Sequence, residues 1–338
     1  MVEFISKSTQ QYKANLHCHS TLSDGHLTPQ QLKEAYKNNG YSILAITDHE
    51  TPYNHSGMNE SDFLMLTAYE AYIRCEPKAN SYLPEVHLNL FAREPDNLKM
   101  VCYNHDYCKY LTDEQQDALE KVGSTEPRRY QREYIQRFID TAVEHDYLVS
   151  YNHPCWSMED LNEVLAYDNC FSLEMCNYCS YLQNRYEHNE MLYDMMLRRG
   201  KRIFCHGGDD NHNSKPLDDF LSDSFGAFTM IYPERFDYAS VVKALEKGDF
   251  YASMGPRITQ LWIDGKTKRA HLEAEGGVQL IMHLGSKSPR NVYRKDGGQV
   301  TSGDFVIPDE ARYLRFTVMD EKGRTADTRG YFRDEWDF

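Results

Sequence analysis

The sequence predicts an α/β fold in which strands alternate with helices around a parallel sheet or barrel, followed by a small antiparallel β domain. Three observations carry this. Apolar runs of strand length alternate with amphipathic stretches from about residue 13 to 250, the pattern of parallel strands joined by helical crossovers. From about Ile258 helical periodicity stops, and short runs are separated by turn pairs such as Asp264-Gly265, Gly276-Gly277 and Lys322-Gly323. Residues with metal-ligand chemistry fall where the predicted strands end.

The elements follow in order. Residues 12–16 read as a short strand. Thr28 is the N-cap of a helix, with Pro29 in its first turn and Gln31 completing a capping box, and the helix ends at Gly40. Residues 41–47 form a buried strand, and 63–69 and 86–91 form two more. A long insertion covers residues 94–134. A helix over 130–145 leads to a strand over 147–151, and a strand over 171–175 to a helix over 184–199. Strands over 202–205 and 225–232 precede a helix over 238–247. The β region after residue 257 holds few clusters of His, Asp or Glu and is read as structural.

Composition bounds the partners. The chain has 338 residues, enough for one large domain and a small one, and 41% are hydrophobic. It has no apolar run near the roughly 18 residues of a membrane span. Met1 to Lys7 show no basic start followed by an apolar run, so no secretory signal is expected. A net charge of −15 argues against a nucleic-acid polymer as partner. It does not argue against a phosphorylated small molecule, because bound cations reverse the local field of an acidic site. Nine cysteines without regular spacing point to a reducing cytoplasm rather than a disulfide framework. Cys176 and Cys179 form a lone CxxC, read as packed thiols rather than a zinc knuckle.

The chemistry lies at strand ends. His17 and His19 close the first strand, and alternation puts both imidazoles on one side. Asp24-Gly25 lies in the next loop, and Thr47-Asp48-His49 closes the second strand. Glu70 closes the third and His87 sits on the fourth. Asn152-His153-Pro154 closes the fifth, and Asp209-Asp210-Asn211-His212 follows the strand at 202–205. In a barrel, the C-terminal strand ends build the active site. Imidazoles and carboxylates together suit divalent transition metals.

These motifs resemble those of the PHP (polymerase and histidinol phosphatase) superfamily over roughly residues 12–255. HxHxxxxDG corresponds to His17, His19, Asp24 and Gly25, TDH to Thr47-Asp48-His49, HP to His153-Pro154 and DxH to Asp210-Asn211-His212. The family's single Glu and the His on its following strand correspond to Glu70 and His87. The segment 244–256 and the β tail are similar to the branch that includes carbaryl hydrolase and many predicted phosphoesterases.

The resemblance implies a distorted (β/α)7-type barrel over residues 10–256, with the insertion at about 94–134, and a small β-rich domain over 257–338. It implies one metal held by His17, His19, Glu70 and Asp210. A second would share Glu70 and add His87 and His153, and a third would use Asp24, His49 and His212. Some members carry His where this chain has Asp24, and a carboxylate there shifts the third site toward harder ions. Two or three divalent ions are expected, with Mn²⁺, Fe²⁺ and Zn²⁺ as the candidates. Glu70, Asp210 and His212 are the residues expected to take a direct catalytic part.

The expected function is hydrolysis of a small phosphate mono- or diester by a metal-activated water. No nucleophilic side chain is required, and no Gly-x-Ser-x-Gly elbow occurs. The alternative is carboxylester or carbamate hydrolysis on the same cluster. A non-catalytic metal scaffold is the reading from a different class, and the intact ligand set argues against it. Around the cluster, His26, His55 and His105 are read as surface or supporting residues, and His206 as packing or pocket-lining. Asp48 and Asp209 are read as carboxylates that orient imidazoles. Glu174 and Asn177 are read as equally suited to a pocket or a structural role. Arg128, Arg129 and Arg132 are read as a solvated helical face, with a phosphate clamp as the competing role.

Overall fold

The computed structural model describes residues 1–75 and 82–337. The chain begins with β1 (Val2–Ile5) and β2 (Tyr12–Asn15), then α1 (Pro29–Asn38) and β3 (Ile43–Ile46). β4 (Leu64–Arg74) and β5 (Glu85–Ala92) come next. The insertion that follows holds β6 (Met100–Val101), α2 (Asp113–Ala118) and β7 (Lys121–Val122). α3 (Arg132–Glu144) leads into β8 (Tyr147–Asn152), then α4 (Leu161–Val164), β9 (Ser172–Asn177), α5 (Tyr178–Asn184), α6 (Glu190–Arg198) and β10 (Phe204–Gly208). β11 (Phe228–Ile231), α7 (Tyr238–Lys247) and β12 (Phe250–Ser253) follow. The rest is β structure: β13 (Arg257–Asp264), β14 (Arg269–Glu275), β15 (Gln279–His283), β16 (Arg290–Tyr293), β17 (Ser302–Val306), β18 (Tyr313–Met319), β19 (Thr325–Thr328) and β20 (Tyr331–Phe332).

Local chemistry explains the helix ends. Thr28 caps α1 in a reciprocal box with Gln31, and α1 buries Leu32 and Tyr36. α7 is capped at its start by Asp237, whose side chain accepts the Ser240 N–H, and at its end by Gly248, where φ is +73°. β3 is buried along its whole length, as expected of a strand covered on both faces.

The strands form a 14-stranded sheet, a four-stranded sheet of β1, β13, β14 and β17, and the small β6–β7 pair. The large sheet runs β10-β9-β8-β5-β4-β3-β2-β11-β12-β19-β18-β15-β16, with β20 paired to β18 off this path. This corrects the expected (β/α)7-type barrel: the fold is mixed α/β with a large sheet and few helices, and among the described residues no closed barrel forms. Two features account for the difference. β5 follows β4 as an antiparallel hairpin partner and pairs antiparallel with β8, so the parallel order of β2-β3-β4 and β8-β9-β10 is interrupted. β10 and β11 meet through the Thr229 side chain, whose hydroxyl accepts the Gly207 N–H and donates to the Gly207 carbonyl, without strand pairing.

The expected domain boundary at residues 256–257 falls between β12 and β13. The large sheet crosses it, because β12 pairs with β19. The core also crosses it: Leu32, Ile46 and Met65 pack in one cluster with Leu261, Leu280 and Phe316. The N-terminal β1, which the sequence pattern did not reveal, joins the C-terminal strands by pairing Val2 with Ile263.

Candidate metal centre

The ligand-type residues are brought together by backbone as well as by strand ends. The Asp210 N–H donates to the His17 carbonyl (2.9 Å), and the His19 N–H to the Asn211 carbonyl (3.0 Å). The Glu50 N–H donates to the Glu70 carbonyl (2.8 Å), which sets His49 beside Glu70. Two glycines allow close approach. A side chain at Gly208 would meet His17 Cβ at 2.8 Å, and one at Gly25 would meet the His19 carbonyl oxygen at 2.2 Å. Left-handed backbone occurs at His153 (φ 22°), Asp210 (φ 52°) and Glu50 (φ 49°). Such conformations cost non-glycine residues about 1–3 kcal/mol each and collect at functional sites.

All nine expected ligands converge. Glu70, nearly fully buried, is the centre. Its Oε1 lies 3.2 Å from His17 Nε2, 3.2 Å from His87 Nδ1 and 3.3 Å from His153 Nε2. Its Oε2 lies 3.1 Å from His49 Nδ1 and 3.5 Å from His19 Nε2. Asp210 Oδ1 lies 3.0 Å from His19 Nε2 and 3.2 Å from His17 Nε2. Asp24 stands on the open side, 3.5 Å from His49 Nε2 and 3.6 Å from both His19 Nδ1 and His212 Nε2. Four groupings able to hold an ion cover these nine residues: His19, Asp24, His49 and His212; His17, His19 and Glu70; His17, His153 and Asp210; and His49, Glu70 and His87.

The electrostatics are those of a crowded cluster of opposite charges. Burial opposes charge on Glu70, yet His17, His87 and His49 hold it well below the usual carboxylate range. His17, His49 and His87 answer differently. Burial disfavours charge on all three, but Asp210, Glu70 and Glu174 hold His17 well above its ordinary value. Glu70 and Glu85 lift His87 to about 10. For His49, burial and the neighbouring His19 prevail and lower it to about 3.

The residues present fit divalent ions. His19 Nδ1, His49 Nδ1 and His87 Nδ1 are buried and make no hydrogen bond. Leaving a buried polar atom unpaired costs about 1–3 kcal/mol. Three such nitrogens beside the Glu70 and Asp24 carboxylates are positions that a divalent cation would satisfy, in place of the protons the imidazoles otherwise carry.

A supporting layer fixes these ligands. Glu174 Oε1 lies 2.9 Å from His17 Nδ1, and Oε2 accepts the His153 N–H (3.1 Å) and the Asn177 amide (2.9 Å). The Asn177 amide also donates to Asp210 (3.0 Å), and the Asn152 amide donates to Glu70 (2.9 Å). Glu174 and Asn177 therefore sit beneath the ligands, fully buried.

Asp48, Asp209 and Arg128 depart from the expected roles, while Arg132, His206 and His105 lie as expected. Among the described residues no imidazole is hydrogen-bonded to Asp48; it accepts hydrogen bonds from the Ser20 and Ser23 hydroxyls (both 2.6 Å) and so pins the loop that carries Asp24. Asp209 accepts the N–H groups of Phe225, Gly226 and Ala227 and the Tyr36 hydroxyl. Arg128 is neither a solvated side chain nor a phosphate clamp: it is buried in a two-pronged ion pair with Glu50. Arg132 pairs with Glu163 at the surface. His206 is buried with its Nδ1 3.0 Å from the Ser172 hydroxyl, and His105 is exposed.

The cluster opens into a cleft of about 460 Å³. Trp156, Cys179, Gln183 and Asp223 line it, and sequence reasoning missed all four as site residues. Cys179, His212 and Asp223 form a further group able to hold an ion. Cys179 carried only the weak CxxC signal, and Trp156 and Asp223 carried none. Cys18, Cys102, Cys108, Cys155, Cys170, Cys176, Cys179 and Cys205 are free thiols.

No family model matches the chain, and no curated protein matches it. Among solved structures, a two-domain protein from Bacteroides vulgatus containing a predicted PHP-like metal-dependent phosphoesterase is similar, with a TM-score of 0.44 at 12% identity, covering 96% of each chain. An amidohydrolase from Chromobacterium violaceum, with bound sulfate and no metal, gives a TM-score of 0.37 at 14% identity, covering 61% of this chain and 89% of that one. Likenesses this weak decide nothing about this chain's chemistry, which rests on the geometry of its own side chains.

Proposed function

We propose that this chain is a metal-dependent hydrolase of the PHP type, acting on a small phosphate mono- or diester. The observation that carries the reading is the convergence of nine imidazoles and carboxylates, Glu70 at their centre, beside a cleft. His17, His19, Glu70 and Asp210 would hold one divalent ion. Glu70, His87 and His153 would hold a second, and Asp24, His49 and His212 a third. Bound there, such ions supply Lewis acidity and neutralise charge on phosphoryl oxygens.

The chain's own residues set the conditions. With Glu174 accepting from His17 Nδ1, a bound ion would take the lone pair of Nε2, on the Glu70 and Asp210 side. The Asn152 and Asn177 amides fix the rotation of the Glu70 and Asp210 carboxylates. His212 borders the cleft half-exposed, where it faces the substrate side.

The test is release of inorganic phosphate from a panel of phosphorylated metabolites by protein reconstituted with Mn²⁺, Fe²⁺ or Zn²⁺. Release from one or more supports the reading, and inorganic phosphate should inhibit. One observation favours the alternative, carboxylester or carbamate hydrolysis. Among the described residues lining the cleft there is no Lys or Arg, so a phosphate has no side-chain cation to meet. Much faster cleavage of aryl esters or carbamates, without inhibition by phosphate, would establish that alternative.

A further inference from the structure

One wall of the cleft holds no metal-ligating group. It is formed by Trp156, which leaves 38% of its surface exposed, whereas Trp336 is buried at 2%. The indole stands nearly perpendicular to His153 and His87, with ring centres 5.1 and 5.6 Å away. Its position is fixed from behind. The backbone N–H of Trp156 donates to Glu187, a carboxylate with no exposed surface that also accepts the Asn189 amide (2.8 Å). The next residue, Ser157, returns its N–H to the His153 carbonyl (3.0 Å) and its hydroxyl lies 3.1 Å from His153 Nδ1. The backbone that carries the indole is thus held, and the ring stands edge-on to His153 and His87 while part of its apolar surface stays in water, an arrangement that costs hydration free energy until something flat covers it.

The rest of the cleft limits what that can be. Ser180 and Gln183 of α5 also line it, offering uncharged hydrogen-bonding groups. Asp24 and Asp223 add negative charge, and among the described lining residues no Lys or Arg offsets them. A second anionic group on the substrate, away from the reacting phosphorus, would meet the charge of Asp24 and Asp223 with no Lys or Arg to balance it. An uncharged ring would meet the indole.

We propose that Trp156 is the leaving-group wall of this cleft, and that the substrate is a phosphate ester whose leaving group carries a flat, uncharged ring. The proposal rests on the phosphoesterase reading above. Hydrolysis forms a bond from a water oxygen to phosphorus, breaks the bond from phosphorus to the leaving-group oxygen, and delivers a proton to that oxygen. Trp156 takes no part in these transfers; it determines which leaving group is bound.

The test uses the metal-reconstituted full chain with phenyl phosphate and glycerol phosphate, which differ in the ring. The parent should favour phenyl phosphate in kcat/KM by about tenfold or more, the scale of one good aromatic contact together with the apolar area it covers. In Trp156→Ala that preference should fall about tenfold, and Trp156→Phe should keep most of it. A second readout is independent of turnover. Phenylphosphonate, which has no cleavable ester bond, should quench tryptophan emission in the parent but not in Trp156→Phe, which retains Trp262 and Trp336. Equal loss on both esters in Trp156→Ala, or quenching that survives in Trp156→Phe, overturns the proposal. Phosphate release from neither ester by the parent overturns the phosphoesterase reading instead, and the quenching experiment then decides the role of Trp156 alone.

Discussion

Glu70 is the side chain on which the most neighbours depend. Its two oxygens face five imidazoles within 3.5 Å, so replacing the carboxylate disturbs more than one grouping at once. Glu70→Gln is expected to lower bound metal by at least one ion per chain in elemental analysis, with circular dichroism unchanged. Turnover should fall by more than the roughly 10–100-fold typical of losing an outer-shell partner. Near-parental metal content would remove Glu70 from the ligand set. Arg128 shows the opposite relation between sequence and site. Its guanidinium donates to Glu50, to the Tyr72 carbonyl (2.7 Å) and to the Cys102 carbonyl (3.3 Å), and Glu50 adjoins His49. Breaking a buried pair from one side costs about 3–5 kcal/mol, whereas replacing both partners by apolar groups is often neutral. Arg128→Met should therefore lower the unfolding free energy in urea by about 3 kcal/mol. Adding Glu50→Leu should recover most of it; no recovery would mean that the pair does more than neutralise itself.

At the scale of elements, helix ends were legible and strand partners were not. The Thr28 and Gln31 capping box needs only four neighbouring residues, so it can be read from the sequence. The direction of β5 could not be read, because a buried apolar run looks the same in a hairpin and in a crossover. The loop between β8 and α4 carries a pH-sensitive group. Burial lifts Glu159 from its ordinary 4.5 to about 8, against the hydrogen bond from Tyr130 (2.8 Å). The folded chain therefore retains a proton that the unfolded chain releases, and stability falls as pH rises from about 4.5 to about 8. Glu159→Gln should remove this fall, raising the urea midpoint relative to the parent at pH 9 more than at pH 5. An equal difference at both pH values would show that Glu159 titrates normally in the folded state.

For the whole molecule, the division into residues 10–256 and 257–338 remains a proposal about separable units, and several contacts cross it. Arg315 on β18 has no exposed surface and pairs with Asp194 on α6 and Asp327 on β19, both at 3.0 Å. The Gly330 N–H donates to the Tyr193 hydroxyl (3.1 Å), and β19 continues the sheet beyond β12. A fragment of residues 1–256 would expose Asp194 without its guanidinium, the edge of β12 and the apolar face that packs on Leu261 and Phe316. It is expected to lack the cooperative thermal transition of the full chain. A fragment that melts cooperatively and keeps its metal would establish two separable units. Among the described residues, no helix is long and apolar enough to cross a membrane.

The sequence by itself determined the local chemistry: the caps, the period-2 alternation that puts His17 and His19 on one side, and the residue types, on the strands and in the loops beside them, of nine candidate ligands. These are properties of short segments, and a short segment carries its own signal. Only the tertiary structure decided the rest. It turned β5 antiparallel, left the sheet open at β10, and carried the chain past residue 256 without a break. It buried Arg128 against Glu50, set Asp48 and Asp209 to hold loops, and brought Trp156, Cys179 and Asp223 to the cleft. Each of these depends on partners tens or hundreds of residues away, chosen by packing and hydrogen-bond satisfaction across the whole core, and no local pattern records such a choice.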